Sequence, residues 1–239
     1  MEVNIMSKTA LVEKFIKLNI KAGDSVYIES QITSFSFTSV QGSFFIQTLR
    51  DYLGPEGTII SNLNSQVQRI VIYDEVKGRN RVVNTYQSSE LAKYLANFKD
   101  VSISKSSFYP YVAVGKYAEA ITGSQSFDFP NGPNSPMARL YELHAKVLLI
   151  NHDVRSMLVH NYCIESHPTS VIEVTNGIHN AKLVNYLNKS NAINLFDVMF
   201  KEKKYKRMFY YTKDQDNTLL SFSLREYVDY CNSVFERKI

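Results

Sequence analysis

His160 and Glu165 lie in one stretch, Arg155 to Glu165, with Cys163 between them. A histidine titrates near neutral pH, so it can take a proton from an attacking group. A nearby carboxylate can fix the ring's tautomer and stabilise the imidazolium that forms. On a regular α-helix, side chains five positions apart point in different directions. Glu165 therefore reaches His160 only if the helix carries a one-residue bulge. His160 and Cys163 stand about one turn apart, a spacing that would suit a thiolate nucleophile. A cysteine beside apolar Ile164 is more commonly a buried structural residue. His144, His152, His160 and His167 recur without the tight pairs and neighbouring cysteines that zinc sites prefer, so no metal is expected. Neither a Gly-x-Gly-x-x-Gly nor a Walker-type loop occurs in the sequence.

The elements that must position His160 are legible on either side of it. Asn134 or Ser135 can cap a helix with Pro136 in its first turn, where a missing N–H costs nothing. Met137, Leu140, Tyr141 and His144 follow at helical spacing. Val147 to Ile150 is a continuous apolar run, as expected of a strand buried on both faces. A polar connection, Asn151 to Ser156, leads into the helix that holds His160. Upstream, Ser7 can cap a helix from Lys8 to Leu18, Val26-Tyr27-Ile28 is a strand, and Val40 to Tyr52 is a helix. Gly54-Pro55-Glu56-Gly57-Thr58 ends that helix and starts a strand at Ile59-Ile60. Val67 to Val76 reads as strand, Gly78 to Arg81 as a basic turn, and Glu90 to Asn97 as a helix. Phe127 to Pro133 is a turn-rich connector. Beyond Glu165, Val171 to Val174 fits a strand and Asn176-Gly177 is a hairpin signal. Ile178 to Asn188 fits either strand or helix. Asn194 to Lys206 looks helical and Met208 to Thr212 extended. Ser223 and Glu226 open a last helix whose Leu224, Val228, Cys231 and Phe235 share one face.

The chain of 239 residues is 44% hydrophobic and 21% charged, with a formal net charge of +4. It can bury a substantial core. The charge would favour an anionic ligand such as a nucleotide but makes no case for nucleic-acid binding. No apolar run approaches the ~20 residues of a membrane span. Residues 1–6 lack the basic start and apolar block of a signal peptide. Two cysteines are too few for a disulfide framework. A reducing cytoplasm is the expected compartment.

Ser135 to Leu143, Lys146 to Leu149 and His160 resemble the corresponding residues of the aminoglycoside 3-N-acetyltransferase family. Gly54 to Thr58 matches that family's turn residue for residue, and Pro110, Gly115 and Ala118 match a segment in which Tyr109 replaces a histidine. The resemblance covers residues 8–60, 106–165 and the last helix. It implies an α/β fold, a single layered α/β/α domain over residues 1–239 with a central mixed sheet. Alternation of strands and helices along the chain agrees. It also implies acyl transfer from acetyl-CoA, or another acyl-CoA, to the amine of an amino sugar, with no metal. His160 would be the general base and Glu165 its orienting group. The loop Ser30, Gln31, Ile32 and Thr33, together with Ser156, would lie near the pantetheine arm and thioester of coenzyme A. Gly115 would allow close packing at a helix start. A homodimer is compatible with all of this.

The sequence departs from the family in ways that bear on the acceptor. Cys163 occupies the usual place of the glutamate, and residues 62–105, where the family builds acceptor contacts, do not match. A nucleotide-linked amino sugar of surface-polysaccharide synthesis is therefore expected alongside an aminoglycoside. The competing expectation is a non-catalytic binding or scaffold protein that kept the fold.

Overall fold

The computed structural model describes residues 7–30, 39–63, 66–74, 78–87, 89–106, 108–168, 170–179, 182–190, 199–214 and 217–237. Its centre is a sheet of seven strands: β1 (Ser25–Ser30), β2 (Thr58–Asn62), β5 (Ser102–Ile103), β6 (Tyr111–Gly115), β7 (Lys146–Ile150), β10 (Tyr210–Asp214) and β11 (Asn217–Ser223). Their order across the sheet is β10-β11-β7-β1-β2-β6-β5. The inner strands β7, β1 and β2 run parallel, and antiparallel neighbours flank them on both sides. The sheet is therefore mixed. Every residue of β1 is buried, its polar Ser25, Glu29 and Ser30 included, and so are the last four of β7, as its apolar run predicts.

Alternation along the strands divides the interior into two faces. Val26 and Ile28 pack with Leu11 and Phe15 of α1 (Lys8–Lys17), with its C-cap Leu18, and with Phe45, Ile46 and Leu49 of α2 (Ser39–Leu53). The short helix α3 (Glu90–Ala96) joins that layer through Leu91, Ala92 and Leu95. Tyr27, Val147 and Leu149 point the other way, into a layer made by α4 (Ala118–Thr122), α5 (Pro136–Glu142), α6 (Val159–Ser166), α7 (Lys203–Lys206) and α8 (Leu224–Glu236). Each large apolar side chain so buried contributes roughly 1.5–3 kcal/mol. The result is the α/β/α layering expected from the sequence. Two antiparallel hairpins stand outside the main sheet: β3 (Gln66–Asp74) with β4 (Arg79–Gln87), and β8 (Val171–His179) with β9 (Lys182–Ser190).

Three local expectations change. The helix after Ser135 stops at Glu142, so His144 lies beyond it with φ 53°. Asn176 and Gly177 are not the hairpin turn; they pair with Asn185 and Val184 inside the β8–β9 ladder. Gly115 ends β6 rather than starting a helix. With φ +114°, a Cβ there would sit 2.2 Å from the Gly57 carbonyl oxygen, so only glycine lets the two strands close. The helix expected over 194–206 is described only from residue 199, where Lys203–Lys206 is helical.

Candidate active site

The parallel strands β1 and β7 end side by side, with Ser30 opposite Ile150. In open α/β sheets ligands bind beyond such carboxyl ends. The chain leaving β7 makes a short 3₁₀ turn, Val154–Ser156, capped by the Asp153 side chain, and then enters α6. This turn and the end of β1 are locked together. Glu29 is buried, and both of its oxygens accept from the Leu158 N–H, at 2.9 and 3.1 Å. Leu158 is the N-cap of α6 and offers no side-chain cap of its own, so a strand carboxyl does that work from outside the helix. His152 Nε2 also lies 3.5 Å from Glu29. Its Nδ1 meets the Asp153 carbonyl oxygen at 3.0 Å; because a carbonyl only accepts, Nδ1 holds the ring proton. Burial pushes the Glu29 carboxyl up to about 8 and the His152 imidazole down.

His160 sits in the first turn of α6, 6% exposed. Its Nε2 is 2.6 Å from the hydroxyl of Tyr227 on α8. The ring also hydrogen-bonds the Arg155 carbonyl, which can only accept; with Nε2 facing the phenol, the ring proton lies on Nδ1. Burial pushes His160 down to about 4, opposed by the Arg155 carbonyl and by the charge of Asp153. The imidazole is thus neutral at physiological pH. Phe200 and Tyr227 cover it, with ring centroids at 6.3 and 5.8 Å, and Arg155 lies over Phe200. Cys163, one turn on, is buried against Cys231, and no disulfide links them.

Glu165 does not orient His160. Helix α6 runs unbroken from Val159 to Ser166, so no bulge returns the carboxylate to the histidine's side. Glu165 instead accepts from the Asn131 N–H at 2.8 Å and its side-chain amide at 3.4 Å, and from the Gly132 N–H. Tyr111 donates to the same Asn131 at 3.0 Å. The carboxyl is 2% exposed, and burial raises it to about 7. It pins α6 to the Phe127 to Pro133 connector and borders a cleft of about 330 Å³ shared with Asp128 and Lys189. A larger groove, about 1030 Å³, lies in the opposite layer between α2 and α3 and contains no histidine.

Of the other expected site residues, Ser30 is buried at the end of β1. Ser156 is exposed and donates its hydroxyl to the Asp153 carbonyl. Both therefore lie at the same end of the sheet. Gln31, Ile32 and Thr33 lie outside the described residues. Among the described residues no cluster of histidine, cysteine and carboxylates could hold a metal ion. Glu29, Tyr205 and Tyr227 were missed by sequence reasoning. Glu29 had one signal available: it is an acidic residue inside an otherwise core-like strand. Tyr227 had none, because its meeting with His160 depends on how α8 docks.

A family model described as aminoglycoside 3-N-acetyltransferase matches residues 28–236. Aminoglycoside N(3)-acetyltransferase III of Pseudomonas aeruginosa is 24% identical over 157 residues, which are 59% of this chain and 56% of that protein. Alignments to the curated relatives span less than two thirds of their length. The crystal structure of the YokD protein from Bacillus subtilis aligns with a TM-score of 0.73 at 22% identity, covering 96% of this chain and 98% of that one. A binary complex of AAC-IIIb with CoASH aligns with a TM-score of 0.70 at 17% identity, covering 98% and 97%. At these identities the structural likeness establishes the fold. No helix among the described residues is long and apolar enough to cross a membrane.

Proposed function

The chain belongs to the aminoglycoside 3-N-acetyltransferase family, and from that premise we propose that it transfers an acyl group from acetyl-CoA to an amine of an amino sugar. The observation that supports this most is the neutral imidazole of His160, set on the helix that begins at the carboxyl ends of β1 and β7. An attacking amine adds to the thioester carbonyl carbon and the carbon–sulfur bond breaks. The amine must shed a proton as it attacks, and His160 is available to receive it. The departing thiolate then takes that proton back. Residues near Ser30 and Ser156 would border the thioester. The relatives' names favour an aminoglycoside acceptor. Tyr109, buried where the resemblance places a histidine, favours a different amino sugar, such as a nucleotide-linked one.

A non-catalytic reading has one observation in its favour: both nitrogens of His160 already have partners within the protein. Thiol release from acetyl-CoA, measured with a panel of aminoglycosides and nucleotide-linked amino sugars, separates the two. Amine-dependent release by the wild type and its loss in His160→Ala supports the enzyme. Coenzyme A binding without turnover by either protein supports the scaffold. Release without any amine indicates a hydrolase.

A further inference from the structure

We propose that residues 201–207 form a phosphate-binding edge beside the acyl-transfer site, with Lys203, Lys206 and Arg207 holding the phosphate groups of a nucleotide ligand. That the ligand serves acyl transfer rests on the reading above; the affinity for nucleotide phosphates does not.

The charge of this chain is concentrated in one place. It has 27 basic and 23 acidic residues. Positions 201 to 207 hold five of the former, Lys201, Lys203, Lys204, Lys206 and Arg207, and one of the latter, Glu202. The rest of the chain carries 22 of each, so the whole formal net charge of +4 belongs to this short segment. Glu202 is engaged elsewhere: it accepts from the Tyr230 hydroxyl and lies 3.4 Å from the Arg237 guanidinium. Lys204 lies over the Tyr230 ring at 5.3 Å. Lys201, Lys203, Lys206 and Arg207 are exposed and, among the described residues, form no ion pair. Like charges three and four positions apart on a helix repel. A ligand bearing several negative charges would relieve that repulsion.

The segment is pinned from its other side. Tyr205 of α7 turns inward, 8% exposed, and its ring meets Phe209 at 4.8 Å, Phe200 at 5.2 Å and Tyr227 at 6.1 Å. Lys203, Lys206 and Arg207 stand at i, i+3 and i+4, so they share the face opposite Tyr205. Three cations on one face of a fixed turn suit phosphate oxygens, the guanidinium as a fork and the ammonium groups as point charges. Phe200 sets the place of this edge relative to His160. Its ring lies 6.3 Å from the imidazole and takes the Arg155 guanidinium over its face at 5.5 Å, and Lys201 is next in the chain. Arg155 is exposed beside Ser156, the residue expected near the thioester. Positive charge thus leads outward from the reacting end, as suits a thioester whose far end is a nucleotide diphosphate. A nucleotide-linked acceptor offers the same diphosphate, and the test separates the two sources.

The test uses the full-length chain and a triple variant, Lys203→Gln with Lys206→Gln and Arg207→Gln. Titration calorimetry at low salt gives Kd for coenzyme A, for UDP and for pantetheine, which keeps the thiol arm and lacks every phosphate. In the triple variant Kd for coenzyme A should rise about tenfold or more, the sum of three exposed charge contacts, and Kd for pantetheine should stay within about twofold. High salt should close the gap between variant and wild type. A control triple, Lys17→Gln with Lys21→Gln and Lys99→Gln, removes the same charge from exposed positions elsewhere and should leave each Kd within about twofold. A weakened UDP with unchanged coenzyme A keeps the phosphate site and makes the acceptor its source. Should the triple variant not fold, the three single variants serve, each weakening the nucleotide about two- to threefold. Equal losses in the two triples, an equal loss for pantetheine, or no loss for either nucleotide overturns the proposal. So does a wild type that binds neither nucleotide. If a nucleotide binds through these residues but the wild type turns over no amine, the phosphate site stands and the acyltransferase reading falls.

Discussion

His152 and His160 stand at the two ends of one short segment, yet they meet different partners. His152 faces the carboxyl of Glu29 at 3.5 Å, whereas His160 faces the phenol of Tyr227 at 2.6 Å. Burial pushes both rings down. The pair with the carboxylate resembles a dyad on paper, but its acid also holds the Leu158 N–H and so fixes the start of α6. A carboxyl group beside a histidine is therefore not by itself the mark of a catalytic base. It marks the anchor of the helix on which the other histidine rides.

The sharpest way to break this comparison is to remove each ring in turn. His160→Ala should lower amine-dependent thiol release by about 1,000-fold, within the range of lost general-base catalysis. His152→Ala should cost less than about tenfold, and the roles are reversed if it costs more. Next in size is Glu29→Ala, which leaves the Leu158 N–H without its buried acceptor. We expect a loss of about 2 kcal/mol, or roughly 4–8 °C in Tm by calorimetry. A drop under about 1 °C would show that Glu29 does not anchor α6.

Titration sharpens the contrast further. Glu29 has a folded pKa near 8, above its ordinary 4.5, so its contribution is present below about 4.5 and is lost as pH rises toward 8. Glu29→Gln should abolish that decline in unfolding free energy, measured by urea denaturation across the window. His160 has the opposite sign. Its folded pKa near 4 lies below the ordinary 6.5, so its contribution is present above about 6.5 and fades as pH falls toward 4. The acid limb of kcat/KM should accordingly lie near 4, and a limb near 6.5 would mean a solvated base. The smallest effect belongs to Glu165→Gln. It should change the rate by less than about threefold and weaken the Asn131 turn by about 1 kcal/mol. A rate collapse matching His160→Ala would restore Glu165 as the orienting group.

Much of this architecture is legible in the sequence, and the reasons are local. The Ser135-Pro136 start, the Val147–Ile150 run and the Gly54–Thr58 turn depend on capping, continuous apolarity and turn chemistry, all short-range effects. The helix bearing His160 is likewise plain. The partner of that histidine is not, because it comes from α8 and depends on docking. Glu165 misleads for the complementary reason. Its proximity in sequence invites a pairing that an unbroken helix forbids. Asn176-Gly177 fails in the same manner, since tertiary pairing carries β8 straight through a dipeptide that favours turns.

Because the phenol facing His160 arrives 67 positions later in the chain, the pocket is closed by a non-local event. Loop closure of that span must precede any reward from the contact. Refolding should then show α5 and α6 settling on the sheet first, with an imidazole still open to water. The site would be finished only when the terminal helix seats. Tyrosine emission, abundant in a chain of 16 such residues and no tryptophan, offers a direct stopwatch for that final step.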